Sequence, residues 1–194
     1  MLDHFAMVLT ALWLGGYLLV AVATAAFAYV YWTDRSVRGS EFLLLGATVG
    51  TGATLLYVGL LVVPSLPFKI LVWKGFQTMA TIVLFCWFVF VVRWTGQARL
   101  SRLRSLVVLA TPLVAFDLLR LTNDSPWIDG LHSLYWSSAT IAEPVGVLVP
   151  LQFSFGLVHL LELGYSALLV VATLALLVAF AARGEQQVYR ARNT

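Results

Sequence analysis

The stretch Arg93-Trp-Thr-Gly-Gln-Ala-Arg-Leu-Ser-Arg-Leu-Arg104 decides how this chain is arranged, because it is a long polar break between two apolar runs. It holds four arginines and no acidic residue. In multi-pass membrane proteins, loops rich in lysine and arginine stay on the cytoplasmic side. We therefore expect residues 93–104 to form a cytoplasmic loop, and the orientation of every other segment follows from that position.

The composition of the whole chain indicates an integral membrane protein. Of the 194 residues, 61% are hydrophobic and only 11% are charged, and the mean hydropathy is +0.91. A soluble domain is usually about one quarter charged. The basic residues stand at the ends of apolar runs and form no continuous stripe, so we expect the lipid bilayer as partner and no nucleic acid. The single cysteine, Cys86, lies within an apolar run and is predicted to be a buried hydrophobe.

Five segments have the length and composition of membrane-spanning helices, which need about 20 mostly apolar residues. We place these spans at about 5–32, 41–63, 68–93, 103–121 and 152–182. The predicted fold class is therefore all-α, a polytopic helix bundle that forms a single transmembrane domain over residues 1–194. The second span carries Gly46, Gly50 and Thr54 at four-residue spacing, a stripe that favours close helix packing. We assign this stripe no other role.

Residues 122–151 differ from the spans because they mix turn-forming, polar and aromatic residues. The segment opens with the turn cluster Asn123-Asp-Ser-Pro126, and its apolar run from Val145 to Leu151 is too short to cross a membrane. Tryptophan and tyrosine are favoured at membrane interfaces. We predict a structured extracytoplasmic loop that lies partly in the interface, with a re-entrant span as the alternative.

The remaining charges agree with the orientation taken from residues 93–104. With that loop inside, five spans place residues 33–40 and the C-terminal tail inside as well. Of the twelve basic residues, two lie in 33–40, four in 93–104 and three in the C-terminal tail. Four acidic residues lie in the regions that this orientation places on the extracytoplasmic side. We therefore predict an N-out, C-in, multi-pass protein of the cell membrane.

Four ionisable side chains and one amide lie inside the predicted spans, where an ionisable group costs at least a few kcal/mol and its default interpretation is functional. They are Lys74, Gln77, Asp117, His159 and Glu162. In the predicted orientation all five lie at a similar depth on the extracytoplasmic side. We predict an ion pair between Glu162 and Lys74. His159 and Asp117 would share its hydrogen-bond network.

Two interpretations of these residues stay open. In the first, they form a polar pocket that is open to the extracytoplasmic side and binds a ligand or senses protonation. Protonation is included because histidine changes charge near neutral pH. Alternatively, they pair off to lock the helices together while Lys74 extends to the interface. A metal site of His159, Glu162 and His132, and a haem site, are minor alternatives because no ligand-spacing motif supports them. We expect no cofactor, no metal and no catalytic residues, because neither a phosphate-binding loop nor a nucleophile motif is present.

The run FVFVVRWTG at residues 88–96, the arginine-rich loop after it and LATP ending at Pro112 resemble the N-terminal seven-transmembrane sensor region of microbial histidine kinases. In that family a Thr-Asn element follows, then a histidine and a tryptophan in the extracytoplasmic loop, then a helix with aromatic and histidine residues near its outer end. The corresponding residues here are Thr122, Asn123, His132, Trp136, Phe153, Phe155 and His159. The resemblance covers the first five helices of the family.

The resemblance implies a sensory or receptor module that passes an extracytoplasmic signal to a cytoplasmic output by helix rearrangement. It adds Asn123, His132 and Trp136 as loop residues of the sensing site, and a histidine kinase or another signalling protein as partner. A homo-oligomer is also compatible with it. We expect no enzymatic activity of this chain. The alternative is a small structural or assembly subunit of a larger membrane complex, and a small transporter or channel comes third.

Overall fold

In a computed structural model, the chain is a bundle of long helices with a two-stranded sheet at one end. The structure describes residues 39–123, 134–141 and 151–192, with parts of 15–29, and the described residues between 15 and 29 are helical. The first predicted span, 5–32, therefore lies largely outside the described residues. The prediction of an all-α membrane helix bundle is confirmed.

Four helices of the described chain are long and apolar enough to cross a membrane. We number them α1, Ser40–Val62; α2, Leu66–Trp94; α3, Leu103–Thr122; and α4, Leu157–Arg192, of which Leu157–Arg183 is the apolar part. The total number of spans and their orientation stay predictions. The described part of the bundle contains three apolar clusters, and the largest joins α2, α3 and α4 around Val89, Leu113 and Leu169.

A two-stranded antiparallel sheet lies in the segment predicted to be a structured loop. Strands β1, Trp136–Ile141, and β2, Leu151–Phe155, pair with each other. The prediction that the last span begins near residue 152 is therefore wrong at that end, because Leu151–Phe155 make their backbone hydrogen bonds to β1. Helix α4 follows directly, and the Gly156 N–H donates to the Tyr135 carbonyl at 2.8 Å.

The small-residue stripe of α1 packs against α2, as predicted. A Cβ placed on Gly46 would lie 3.2 Å from the Cys86 Cβ, and one on Gly50 would lie 3.6 Å from a Val83 methyl carbon. Cys86 is buried at this contact. The glycines therefore let the two backbones approach closely, which is how small residues stabilise helix pairs in membranes.

The Trp-Thr-Gly element at the end of α2 is a Schellman cap. Gly96 adopts a left-handed conformation, with φ at 71°. Its N–H donates to the Arg93 carbonyl at 3.2 Å, and the Gln97 N–H donates to the Val92 carbonyl at 3.0 Å. These two bonds satisfy the last carbonyls of the helix, and glycine is favoured because it has no Cβ to clash at positive φ.

We predict that Gly96→Ala lowers the free energy of unfolding by about 1 kcal/mol, because an L-residue is strained in the left-handed region. The matched control is Gly59→Ala, at a helical position where an added Cβ meets no atom within 4 Å. That change should be neutral or stabilising, by up to about 1 kcal/mol, through helix propensity. Unfolding of the detergent-solubilised protein followed by circular dichroism compares the two, and equal effects would contradict the cap.

Candidate functional site

Arg120 lies at the centre of a polar cluster that is buried between the helices beneath the sheet. Its side chain is 0% exposed. One terminal nitrogen donates to Asp117 Oδ1 at 2.5 Å, the other donates to Glu162 Oε1, and Nε donates to the Tyr135 hydroxyl at 3.1 Å. A single guanidinium thus joins α3, α4 and the residue before β1.

Helix α2 contributes two hydroxyl groups to this cluster. Thr78 donates to Asp117 Oδ1 at 3.2 Å, and its oxygen lies 3.4 Å from an Arg120 terminal nitrogen. One turn further, the Thr81 hydroxyl lies 3.5 Å from Glu162 Oε1. Helices α2, α3 and α4 and the segment before β1 therefore meet at one set of hydrogen bonds. We call it the Arg120 network: Thr78, Thr81, Asp117, Arg120, Tyr135, His159 and Glu162.

His159 is linked to Arg120 through Tyr135. Its Nδ1 lies 3.2 Å from the Tyr135 hydroxyl oxygen. That oxygen accepts the Arg120 Nε–H, and in the tautomer with its proton on Nε2, His159 accepts the tyrosine proton at Nδ1. The imidazole also stacks on Phe155, with ring centroids 3.9 Å apart. Hydrogen bonding and stacking together hold the ring in one orientation.

One buried oxygen of the network has no hydrogen-bond donor among the described residues. Glu162 is 6% exposed, and its Oε1 accepts from Arg120, but Oε2 is buried and no described residue donates to it. His159 Nδ1 lies 3.9 Å away. Two carboxylates face one guanidinium, so the trio carries a net charge of −1 when both are ionised. Burying an uncompensated charge is costly, so an added proton or hydrogen-bond donor at Oε2 would be favourable.

Aromatic rings cover the network where the sheet meets the bundle. Trp73 of α2 is the centre of this cover, with its ring centroid 4.3 Å from that of Phe153 and 5.2 Å from that of Trp136. Tyr135 is fully buried among them. The rings keep the guanidinium away from solvent, and hydrogen bonds are stronger in such surroundings than in water.

Three of the five predicted site residues, Asp117, His159 and Glu162, meet in the Arg120 network. The predicted ion pair between Glu162 and Lys74 is wrong, because Glu162 pairs with Arg120. The planar arginine fork can serve two carboxylates at once, whereas lysine is a single point charge. Lys74 instead donates to the Leu121 carbonyl at 3.2 Å, and its Nζ lies 5.2 Å from the centre of the Trp136 ring.

Gln77 lies near the cluster without joining it through its side chain. Its backbone carbonyl accepts the Thr81 hydroxyl at 3.0 Å, and its amide forms no hydrogen bond within the part of the chain that the structure describes. It therefore stays a prediction as a site residue.

The loop residues taken from the resemblance have different outcomes. Asn123 is buried, and its side chain binds the backbone at the start of β1 as a neighbouring strand would. Its amide nitrogen donates to the Trp136 carbonyl and its oxygen accepts the Tyr135 N–H, both at 3.1 Å. It thus fastens the sheet segment to the end of α3. His132 lies outside the described residues. Over the described ranges, no group of three or more histidine, cysteine or acidic residues is arranged to hold a metal ion.

Sequence reasoning missed Arg120, Tyr135 and the α2 threonines as members of the site. The available signal was Arg120 itself, a charge one helical turn from Asp117 inside an apolar span. Lys69 was missed in the same way. It is fully buried near the start of α2 and donates to the Leu60 carbonyl of α1.

Apolar helices of membrane-spanning length, joined by a buried charge network, define a multi-pass membrane protein. The sequence profile of the N-terminal 7TM region of histidine kinase matches residues 16–194. The chain therefore belongs to this family, which confirms the resemblance and makes it a membrane sensory region. Searches of curated proteins and of solved structures found no significant match.

We predict a coupling energy of about 2 to 3 kcal/mol between Arg120 and Glu162 in a double-mutant cycle of Arg120→Met and Glu162→Gln. Each single change leaves a buried charge or polar group without its partner, and the double change removes both. The free energy of unfolding in detergent is the quantity to measure.

The control is the exposed pair of Arg93 and Glu41, which are 2.5 Å apart with side chains 38% and 56% exposed. Its coupling should be well below about 1 kcal/mol, because solvent screens exposed ion pairs. Similar couplings for the two pairs would contradict the central position of Arg120.

Proposed function

We propose that this chain is the sensory module of a signalling protein of the cell membrane, and that the Arg120 network is its sensing site. The observation that carries this proposal is Glu162 Oε2, a buried carboxylate oxygen to which no described residue donates. A proton is the smallest group that supplies the missing bond. We infer that extracytoplasmic acidification is the signal, received in the predicted N-out, C-in orientation.

Protonation of Glu162 would change the balance of forces on α4. Neutral Glu162 loses its ionic attraction to Arg120, and Arg120 then keeps Asp117 as its carboxylate partner. The other charged or titratable groups described at the site are His159 on the same helix as Glu162, Asp117 and Arg120 on α3, Tyr135 before β1, and Lys74 at the rim of α2. The protonated and unprotonated forms thus favour different helix arrangements, which is the condition for a ligand to shift an equilibrium.

Helix α4 is suited to transmit the change. It carries Glu162 and His159 in its first two turns and continues to Arg192, a length of about 54 Å at 1.5 Å per residue. On the way, Leu169 packs into the apolar cluster that α4 shares with α2 and α3. Packed interfaces of this kind move by small steps between discrete arrangements rather than by smooth deformation. The cytoplasmic end of α4 would pass the displacement to a histidine kinase or another output module.

The second candidate function is a structural or assembly subunit, in which the network only locks helices together. It is favoured by the number of acceptors that Arg120 already binds: Asp117, Glu162 and Tyr135. The two functions differ in one respect. A structural subunit keeps a single helix arrangement at all pH values. A sensor has two helix arrangements, whose populations depend on the protonation of Glu162.

We predict that Glu162→Gln shifts the distance between spin labels at positions 104 and 183 by about 1 to 5 Å, because the uncharged amide imitates protonated Glu162. Both positions are exposed, one at the start of α3 and one in the last part of α4. Replacing the single Cys86 by alanine gives a background in which only introduced cysteines are labelled. Pulsed electron paramagnetic resonance in lipid nanodiscs measures the distance.

Wild type should show the same shift when the pH falls from about 8 to about 5, the range in which physiological pH switches act. Glu41→Gln is the matched control, since it neutralises an exposed glutamate at the other end of the bundle. It should leave both the distance and its pH response unchanged. If Glu162→Gln gives the same distance as wild type and the same response to pH as wild type, the structural subunit is the better description.

A further inference from the structure

A cavity of about 420 Å³ lies at the end of the bundle opposite the Arg120 network, where α1 begins and α2 ends. Its lining residues are Gly39, Val92, Arg93, Gly96, Gln97, Ala98 and Ser101. Arg93 is fifteen residues from Thr78 along α2, a distance of about 22 Å. The cavity is therefore a separate place in the molecule, and it lies within the size range of small-ligand sites.

Two glycines leave part of the cavity wall without side chains. Gly39 has φ at 85°, and a Cβ on it would lie 3.2 Å from the Arg93 Cβ. Gly96 has φ at 71°, and a Cβ on it would meet no atom within 4 Å. A ligand can thus approach the backbone closely at this position, which is a common role of glycine.

Arg93 offers donors to such a ligand. One of its terminal nitrogens donates to Glu41 at 2.5 Å, which is its only side-chain hydrogen bond to the described residues. A guanidinium has five N–H donors, so four of them remain available. The pair with Glu41 is half-exposed, so solvent screens it. The guanidinium also lies over the Phe42 ring, 4.6 Å from its centre, a contact that uses its face and leaves the donors at its edge for an anion. Planar, bidentate contact with phosphate is typical of arginine.

The charge around the cavity is strongly positive. Residues 93–104 hold four arginines and no acid, and with Glu41 included the sum is four minus one, or +3. The side chains of Arg99, Arg102 and Arg104 are exposed. Trp94, 42% exposed beside Arg93, is placed as aromatic residues are at a membrane interface. Basic pockets between helices on the cytoplasmic side are places where anionic headgroups bind.

A second, apolar groove of about 230 Å³ lies between the same pair of helices. The two are linked by a contact between their walls, since the Arg93 guanidinium of the cavity lies 4.6 Å from the centre of the Phe42 ring of the groove. It is lined by Phe42, Leu43, Gly46, Ala47, Gly50, Val83 and Trp87. On α1 the lining begins at Phe42, three residues after Gly39, and extends about 12 Å to Gly50. On α2 the lining residues precede Arg93. A polar cavity continued by an apolar groove matches a molecule with an anionic head and a hydrocarbon tail, and free phosphate would not use the groove.

We propose that the cavity and the groove together bind one anionic phospholipid, with its phosphate against Arg93 and Gln97 and an acyl chain between α1 and α2. The site would recognise the negative headgroup in the cytoplasmic leaflet. It does not depend on the sensing role of the Arg120 network, because it rests on other residues at the other end of the bundle.

The test is native mass spectrometry of the whole chain in a non-ionic detergent, titrated with phosphatidylglycerol or phosphatidylcholine. We expect one phosphatidylglycerol to be retained in preference to phosphatidylcholine. Arg93→Gln should weaken this retention by at least about fivefold. The matched control is Arg183→Gln, which removes an exposed arginine that does not line the cavity. It should have no effect, because a micelle of this detergent has no charged surface.

Ala47→Leu fills the groove without touching a charge, and it should weaken phosphatidylglycerol binding while leaving the cavity intact. Circular dichroism verifies that each variant is folded. Equal retention of the two lipids, or equal loss in Arg93→Gln and Arg183→Gln, would overturn the proposal. So would full competition by glycerol phosphate together with unchanged binding in Ala47→Leu, since the cavity would then take a free phosphate.

Discussion

The arrangement at the sheet end of this molecule depends on one guanidinium that is removed from water. A buried arginine in a membrane span is stable only when its donors are matched by acceptors in fixed positions. Arg120 finds them on its own helix, on α4 and in the segment before β1. Each acceptor belongs to a different element, so satisfying one side chain also determines how those elements meet.

Other features of the molecule follow from this requirement. Tyr135 has to place its hydroxyl group next to Arg120. Asn123 fixes this position through hydrogen bonds to the Tyr135 N–H and to the Trp136 carbonyl. The strand β2 then brings Phe153 and Phe155 over the site, and Gly156 connects the sheet to α4 so closely that Glu162 lies within reach of Arg120. The sheet is thus a support for the network as well as a cover. The two carboxylates exceed the charge of one arginine, and the proposed sensing role of Glu162 rests on this excess.

Much of the fold was predictable from the sequence because its signals are strong and local. Apolar length identifies helices, and the spacing of Gly46 and Gly50 identified the face of α1 that meets α2. The two strands were not predicted, because residues 151–155 run directly into the apolar helix that follows and their strand conformation depends on tertiary pairing with β1. Three site residues were also predictable, since charges in apolar spans are conspicuous. Their pairing was not, because it depends on the rotation and depth of three helices. Arg120 lies at the end of the predicted span 103–121, but its side chain is buried and is the partner of Glu162 in place of Lys74.

The most direct measurement is the infrared difference spectrum of the protein in lipid between about pH 8 and about pH 5, recorded for wild type and Glu162→Gln. The carboxyl stretching region separates protonated acids from carboxylates. If Glu162 takes up the proton, wild type will gain a protonated carboxyl band and lose a carboxylate band, and both changes will be missing in Glu162→Gln. Identical difference spectra for the two proteins would contradict proton uptake at Glu162 and leave the network as a structural support.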